Sequence, residues 1–281
     1  MRKIKLTSHT YQIILTIIIT ISSFHFSAIT RAQTGSEKNT TEVIELGKWT
    51  EGGLTEIMTE SSKLGGAGAR INFISEKFLG TPYVGSTLTG DVNTPEIFTV
   101  DLEGMDCFTY IDYVEAFSLS DSLPEFKDNL RKIRYRDGVV AFRNRNHFFS
   151  DWPLSNDVYI EDVTSALGGV KTMEVSKNLN LKTDGTYYLP GIPAINRTIY
   201  FIPSDALDAS VLSKLMTGDF VGIYTDKEGL DVSHTGIIIK KDGKVFLRHA
   251  SSKEKNQKVV DEILSEYMKN KPGLVVYRPV K

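Results

Sequence analysis

One cysteine, Cys107, stands in 281 residues. No intramolecular disulfide is possible, and zinc or iron–sulfur sites built from several thiolates are excluded. Histidine is almost as scarce: only His147, His234 and His249 lie beyond residue 32. No His-Glu-x-x-His spacing occurs, so no metal site and no cofactor is expected. Charge of either sign is in short supply as a net quantity, at −2 for the whole chain. Residues 1–32 hold four basic residues (Arg2, Lys3, Lys5, Arg31) and no acid, so the remainder carries 29 basic against 35 acidic side chains, a net of −6. A mildly acidic body lacks the basic footprint that phosphate backbones need, which argues against nucleic acid as a partner. Hydrophobic residues at 41 % and charged residues at 24 % are ordinary globular values and exclude bulk disorder or a collagen-like chain.

The long apolar run is confined to the N-terminus. Arg2, Lys3 and Lys5 precede Ile13-Ile14-Leu15-Thr16-Ile17-Ile18-Ile19-Thr20-Ile21, and small residues follow near Thr30-Arg31-Ala32. This order reads as a secretory signal peptide over residues 1–32. A retained membrane anchor is the competing reading, but the stretch from Tyr11 to Ile29 is barely long enough to span and contains His25 and several hydroxyl side chains. Either way the body is expected to be exported, to the periplasm or beyond the cell. In such an oxidising setting a lone thiol is either buried and inert or kept for its chemistry.

Residues 33–50 are polar and read as a flexible leader, leaving 51–281 as a single domain. Leu54, Ile57 and Met58 fall at helical spacing, as do Ile71, Ile74 and Phe78 after Gly65-Gly66. Residues 81–106 read as a loop punctuated by Pro82, Gly85, Gly90 and Pro95. A third helix is expected from Asp106, with Asp106 as its cap and with Cys107, Ile111, Val114 and Phe117 on one face. Leu123 to Ile133 predicts a fourth. The second half turns to short apolar runs at 220–224, 235–239, 245–247 and 274–277, with a hairpin signal at Lys241-Asp242-Gly243-Lys244. Helices first and a mostly antiparallel sheet afterwards is an α+β pattern.

Cys107 opens the predicted third helix. A thiolate is the reactive form of cysteine, with a free pKa of about 8.5. A helix N-terminus favours an anion by roughly 0.3–1 kcal/mol, and one pKa unit is about 1.4 kcal/mol. The helix end therefore supplies at most about one unit, and a histidine must do the rest. His234 opens one predicted strand and His249 closes the next. A turn centred on Asp242-Gly243 pairs residues whose numbers sum to about 485, which places the two histidines nearly opposite, about 4.5–5.5 Å apart at Cβ. One imidazole could then orient the other, as the third member of a triad does.

These residues also carry a resemblance. Gly80-Thr81-Pro82-Tyr83, Asp106-Cys107, Gly218-Asp219-Phe220, Ser233-His234-Thr235-Gly236 and His249-Ala250-Ser251 occur in that order. Together they resemble the NlpC-type, papain-like superfamily of cell-wall cysteine peptidases and amidases. Asp106-Cys107-Phe108-Thr109, Ile133-Arg134-Tyr135-Arg136-Asp137-Gly138, Asn146 to Trp152 and Arg248 to Ser252 resemble more closely its N-acetylmuramoyl-L-alanine amidase-like family, over residue 66 to the C-terminus. The resemblance implies a papain-like cysteine hydrolase fold, with N-terminal helices on a mostly antiparallel sheet. It implies Cys107 as nucleophile, His234 as general base, His249 as the residue that orients the base, and Tyr83 as a wall of the site beside the oxyanion. The sequence departs from the pattern at Phe108-Thr109, where Ser-Gly is frequent, and at Asp112, where the closer family commonly has Glu.

Arg143, His147 and Trp152 lie in a basic and aromatic segment that reads either as a sugar- and carboxylate-binding patch or as a surface loop anchored by its aromatics. The run from Arg131 to Arg136 reads as a solvated edge. The expected partner is peptidoglycan or its muropeptides, met by a monomer that touches membrane only through its signal segment. The implied bond is muramoyl–L-alanine, with the D-glutamyl–diamino acid bond of the stem peptide as the alternative. A non-catalytic wall-binding module and a lipid-handling acyltransferase are the other classes left open.

Overall fold

The computed structural model describes residues 42–280. The expected signal segment and residues 33–41 of the expected leader lie outside the described residues. From residue 42 the leader reading is corrected. Strand β1 (Glu42–Glu45) pairs in parallel with β2 (Phe98–Asp101). Glu42 forms ion pairs with Lys127 at 3.0 Å and with Arg131, and Trp49 packs edge-on to Phe78 at 5.8 Å. The polar composition of this stretch concealed Ile44, Leu46 and Trp49, which pack against the core.

The four expected helices are present: α1 (Glu51–Ser62), α2 (Ala67–Lys77), α3 (Cys107–Ser118) and α4 (Leu123–Arg134). Thr50 caps α1 through Gly53 N–H at 3.1 Å, and Ser122 caps α4 through Glu125 N–H at 3.4 Å. Helix α3 is buried on every side from Thr109 to Ser118, not on one face, because helices pack around it as well as the sheet. The chain continues through α5 (Trp152–Ser155), β3 (Ile160–Asp162), α6 (Thr164–Gly168), β4 (Met173–Leu179), β5 (Ile195–Pro203) and α7 (Ala209–Lys214). It ends with β6 (Phe220–Tyr224), β7 (Val232–Lys241), β8 (Lys244–Ser251), β9 (Lys258–Ile263), α8 (Leu264–Tyr267) and β10 (Gly273–Pro279).

The large sheet runs β4-β5-β10-β6-β7-β8-β9, every pairing antiparallel, with β3 on the same edge of β10 as β5. The architecture is thus mixed α and β around a mostly antiparallel sheet. One core lies between α1–α4 and one face of the sheet, where Phe220, Ile237, Ile239, Ala250 and Val275 point. A second lies on the other face under α6, α7 and α8, filled by Val221, Ile223, Ile238, Leu247 and Val276. Burial on both faces is why these strands read as continuous apolar runs in the sequence. The described residues fall in one compact unit, and no helix among them is long and apolar enough to cross a membrane.

Candidate active site

Cys107 is the first residue of α3 and is half-buried. Asp106 caps the helix: its Oδ1 accepts from Phe108 N–H at 3.0 Å and Thr109 N–H at 2.8 Å, and Thr109 Oγ1 accepts in return from Asp106 N–H at 3.0 Å. This reciprocal cap fixes where the helix begins and hence where the thiol stands. Thr235 Oγ1 donates to the Cys107 carbonyl oxygen at 2.7 Å, which pins the start of α3 to β7 one residue from His234. Tyr83 is half-buried and bridges to Met105, and its phenol feels the charges of Cys107 and Asp106.

The hairpin of β7 and β8 turns at Asp242-Gly243, both at positive φ, and sets the register Ile237↔Arg248. That is the pairing the turn predicted. His234 and His249 are not directly opposite, however. In this register His249 faces position 236, so the histidines are diagonal neighbours, for which Cα separations run to roughly 7–8 Å. The rings close the gap: His234 Nε2 and His249 Nδ1 are 2.7 Å apart, with the ring planes at 88°. Glycine at 236 makes this possible, since a Cβ there would lie 3.0 Å from the His249 Cβ and 2.6 Å from Leu247 Cδ1.

Three further side chains surround the histidine pair. His249 Nε2 meets Glu262 Oε2 on β9 at 3.0 Å, and Lys253 Nζ holds the same carboxylate at 3.0 and 3.2 Å. Tyr267 on α8 packs against both rings, 5.0 Å from His249 and 6.0 Å from His234 between centroids, and lies within electrostatic reach of Cys107. Thr235, Glu262 and Tyr267 were not legible in the sequence. Tyr267 had no motif around it, and Glu262 joins the site only through strand register.

Burial dominates the electrostatics. It pushes the Cys107 thiol up to about 11, helped by the charge of Asp106 and opposed by hydrogen bonds from Thr235 and the residue's own backbone N–H. It pushes His234 down to about 3, with His249 and Lys253 adding to the effect, and His249 down to about 4. The expected drop in the thiol pKa is therefore corrected. A rise of about two units is roughly 3 kcal/mol, more than the helix end returns. These shifts favour a neutral thiol and neutral imidazoles at neutral pH.

The other expected site residues are elsewhere. Trp152 is fully buried and donates its Nε1–H to Asp112 Oδ1 at 3.1 Å, so it presents no face to a ligand. Asp112 also accepts from Arg134 Nε at 3.0 Å, which makes it a core residue and removes Arg134 from the solvated edge. His147 Nε2 meets the Phe142 carbonyl oxygen at 2.8 Å and its ring packs on Phe142, an anchor for the loop. Arg143 is exposed beside it. The structure thus joins His234 to His249, sets Tyr83 and Tyr267 within electrostatic reach of Cys107, and holds His147 and Trp152 in packing contacts of their own. Among the described residues no group of three or more His, Cys, Asp or Glu is placed to hold a metal ion.

The fold is that of amidase-like proteins. The model of the N-acetylmuramoyl-L-alanine amidase-like (AmiA-like) family matches residues 73–274, and the chain belongs to that family. It is similar to the crystal structure of an N-acetylmuramoyl-L-alanine amidase from Bacteroides uniformis, at 31 % identity and a TM-score of 0.66, over 77 % of this chain and 100 % of that one. It shares its fold with a Legionella pneumophila protein at 23 % identity and a TM-score of 0.70, over 82 % of this chain and 94 % of that one. No curated protein matches.

Proposed function

We propose that this chain is an exported cysteine amidase of the papain-like superfamily that cleaves the muramoyl–L-alanine bond of peptidoglycan. The observation that carries the reading is the 2.7 Å link between His234 and His249 on the strand whose Thr235 pins Cys107. Membership of an amidase-like family supports the bond class, and the charged, apolar and small-residue order of residues 1–32 supports export.

In the proposed reaction the Cys107 S–H bond breaks as sulfur attacks the amide carbonyl, and His234 takes the proton. The carbonyl oxygen gathers negative charge beside the Cys107 backbone N–H and Tyr83. Collapse breaks the C–N bond, His234 returns its proton to the departing amine, and a thioester remains. Water, deprotonated by His234, attacks the thioester and frees Cys107. Release of intact stem peptides from purified sacculi by the wild-type chain, detected by mass spectrometry and abolished by Cys107→Ala, is the expected result. Fragments truncated after the second stem residue would move the cut to the D-glutamyl–diamino acid bond. Undiminished release by Cys107→Ala would overturn the cysteine mechanism.

A further inference from the structure

We infer that Glu262 is a positioning residue that sets the tautomers of both histidines and so leaves His234 Nδ1 bare as the base. The inference rests on the proposed roles of Cys107 and His234 and deepens them. An ionised carboxylate can only accept hydrogen bonds. With Glu262 Oε2 at 3.0 Å from His249 Nε2, that nitrogen carries the proton. A neutral imidazole has one N–H, so His249 Nδ1 is an acceptor. His234 Nε2, 2.7 Å away, must then donate to it. The lone pair of His234 is left on Nδ1, the nitrogen free to face a thiol.

The reverse arrangement, with both protons moved one place along, would put an N–H on His234 Nδ1 and leave no base. Only the carboxylate at the far end distinguishes the two. The structure invests in keeping it charged and still: Lys253 holds both oxygens, Lys255 stands at 3.4 Å, and hydrogen bonds to Lys253 and His249 draw the Glu262 carboxyl below its usual range against the pull of burial. The other groups acting on the pair are Tyr267 on α8, Lys271 beyond it and Asp261 on β9, none of which accepts from His249. When His234 takes the thiol proton, its Nε2–H still points at His249, and the new positive charge is opposed by Glu262 through the same line.

Glu262→Gln is the direct test, because glutamine keeps the shape but can either donate or accept. Nitrogen-15 NMR of the imidazoles in the full chain is expected to show His249 and His234 both as Nε2–H in the wild type, and a mixture of tautomers in Glu262→Gln. With peptidoglycan fragments, kcat is expected to fall by about ten-fold or more with KM little changed, the range seen when partners that orient a histidine are removed. Glu262→Asp, still a carboxylate, is expected to recover part of the loss and to report the role if the glutamine variant folds poorly. An unchanged tautomer pattern together with an unchanged kcat in Glu262→Gln would overturn the inference. The NMR readout needs no substrate, so it judges Glu262 even if Cys107→Ala should show the hydrolytic reading to be wrong.

Discussion

Glu115 sits two turns into the helix that Cys107 begins, and only 1 % of it is exposed. Its Oε2 accepts from Ser118 Oγ at 3.3 Å, a hydroxyl that the Glu115 carbonyl oxygen also engages at 2.9 Å. Its Oε1 is buried with no partner among the described residues. Among the described residues no cation is paired with it, and burial pushes the carboxyl from 4.5 up to about 8. Below pH 4.5 both the folded and the unfolded chain hold the proton, and Glu115 imposes no pH-dependent cost. As pH rises past 4.5 the unfolded chain releases it while the folded chain keeps it to about pH 8, so the unfolded state is favoured increasingly over that window. At about 1.4 kcal/mol per unit, the loss reaches about 3 kcal/mol by neutral pH and levels off above pH 8. Glu115→Gln has nothing to titrate. Its stability relative to wild type, measured by urea unfolding between about pH 5 and 8, is expected to climb by roughly 1 kcal/mol per unit. Stability curves that run parallel over that range would refute the reasoning, and would mean that Glu115 is ionised in the fold with a partner to hold it.

Two further substitutions separate geometry from charge around the thiol. Asp106→Asn keeps a side-chain oxygen for the helix cap but removes the charge beside Cys107. Its thermal stability is expected to stay near wild type while the pH profile of Cys107 alkylation shifts down, whereas Asp106→Ala is expected to lose about 1 kcal/mol with the cap. An unshifted profile in the asparagine variant would show that the Asp106 charge does not reach the sulfur. Gly236→Ala would place a Cβ 2.6 Å from Leu247 Cδ1 and 2.9 Å from the Arg248 carbonyl oxygen. A loss of roughly 1–3 kcal/mol in denaturant unfolding is expected, and a neutral result would show that the hairpin yields there without cost.

The helices were legible because their apolar residues recur at helical spacing and their caps are the preferred ones, Thr50, Asp106 and Ser122. Strands β6, β7, β8 and β10 were legible as apolar runs, since both of their faces are covered. Strands β4 and β5 were not. Strand β4, at the sheet's outer edge, alternates polar and apolar residues with Met173 in solvent, and β5 opens on the polar stretch Asn196-Arg197-Thr198 before its short apolar run Ile199-Tyr200-Phe201-Ile202. The order Cys107, His234, His249 and the single hairpin turn were enough to predict that two imidazoles meet. The same register already implies that they meet diagonally, since 234 and 249 sum to two less than the paired residues Ile237 and Arg248; reading them as directly opposite overlooked that offset. Trp152 shows the opposite failure. An aromatic residue in a basic loop reads the same whether its ring faces solvent or, as here, donates to a buried carboxylate. Glu262 was invisible for a third reason: its role depends on β9 lying beside β8, a pairing that joins distant chemistry through backbone register alone.

The buried, neutral state of the cluster bears on how the thiol can work. Burial raises the Cys107 thiol and lowers the His234 imidazole, and both shifts disfavour a thiolate–imidazolium pair before substrate arrives. In the proposed reaction, proton transfer then accompanies attack on the carbonyl. Under the proposed mechanism the orientation of His234 then matters more than its basicity, and the line from Glu262 through His249 to His234 would fix it with three side chains on three adjacent strands.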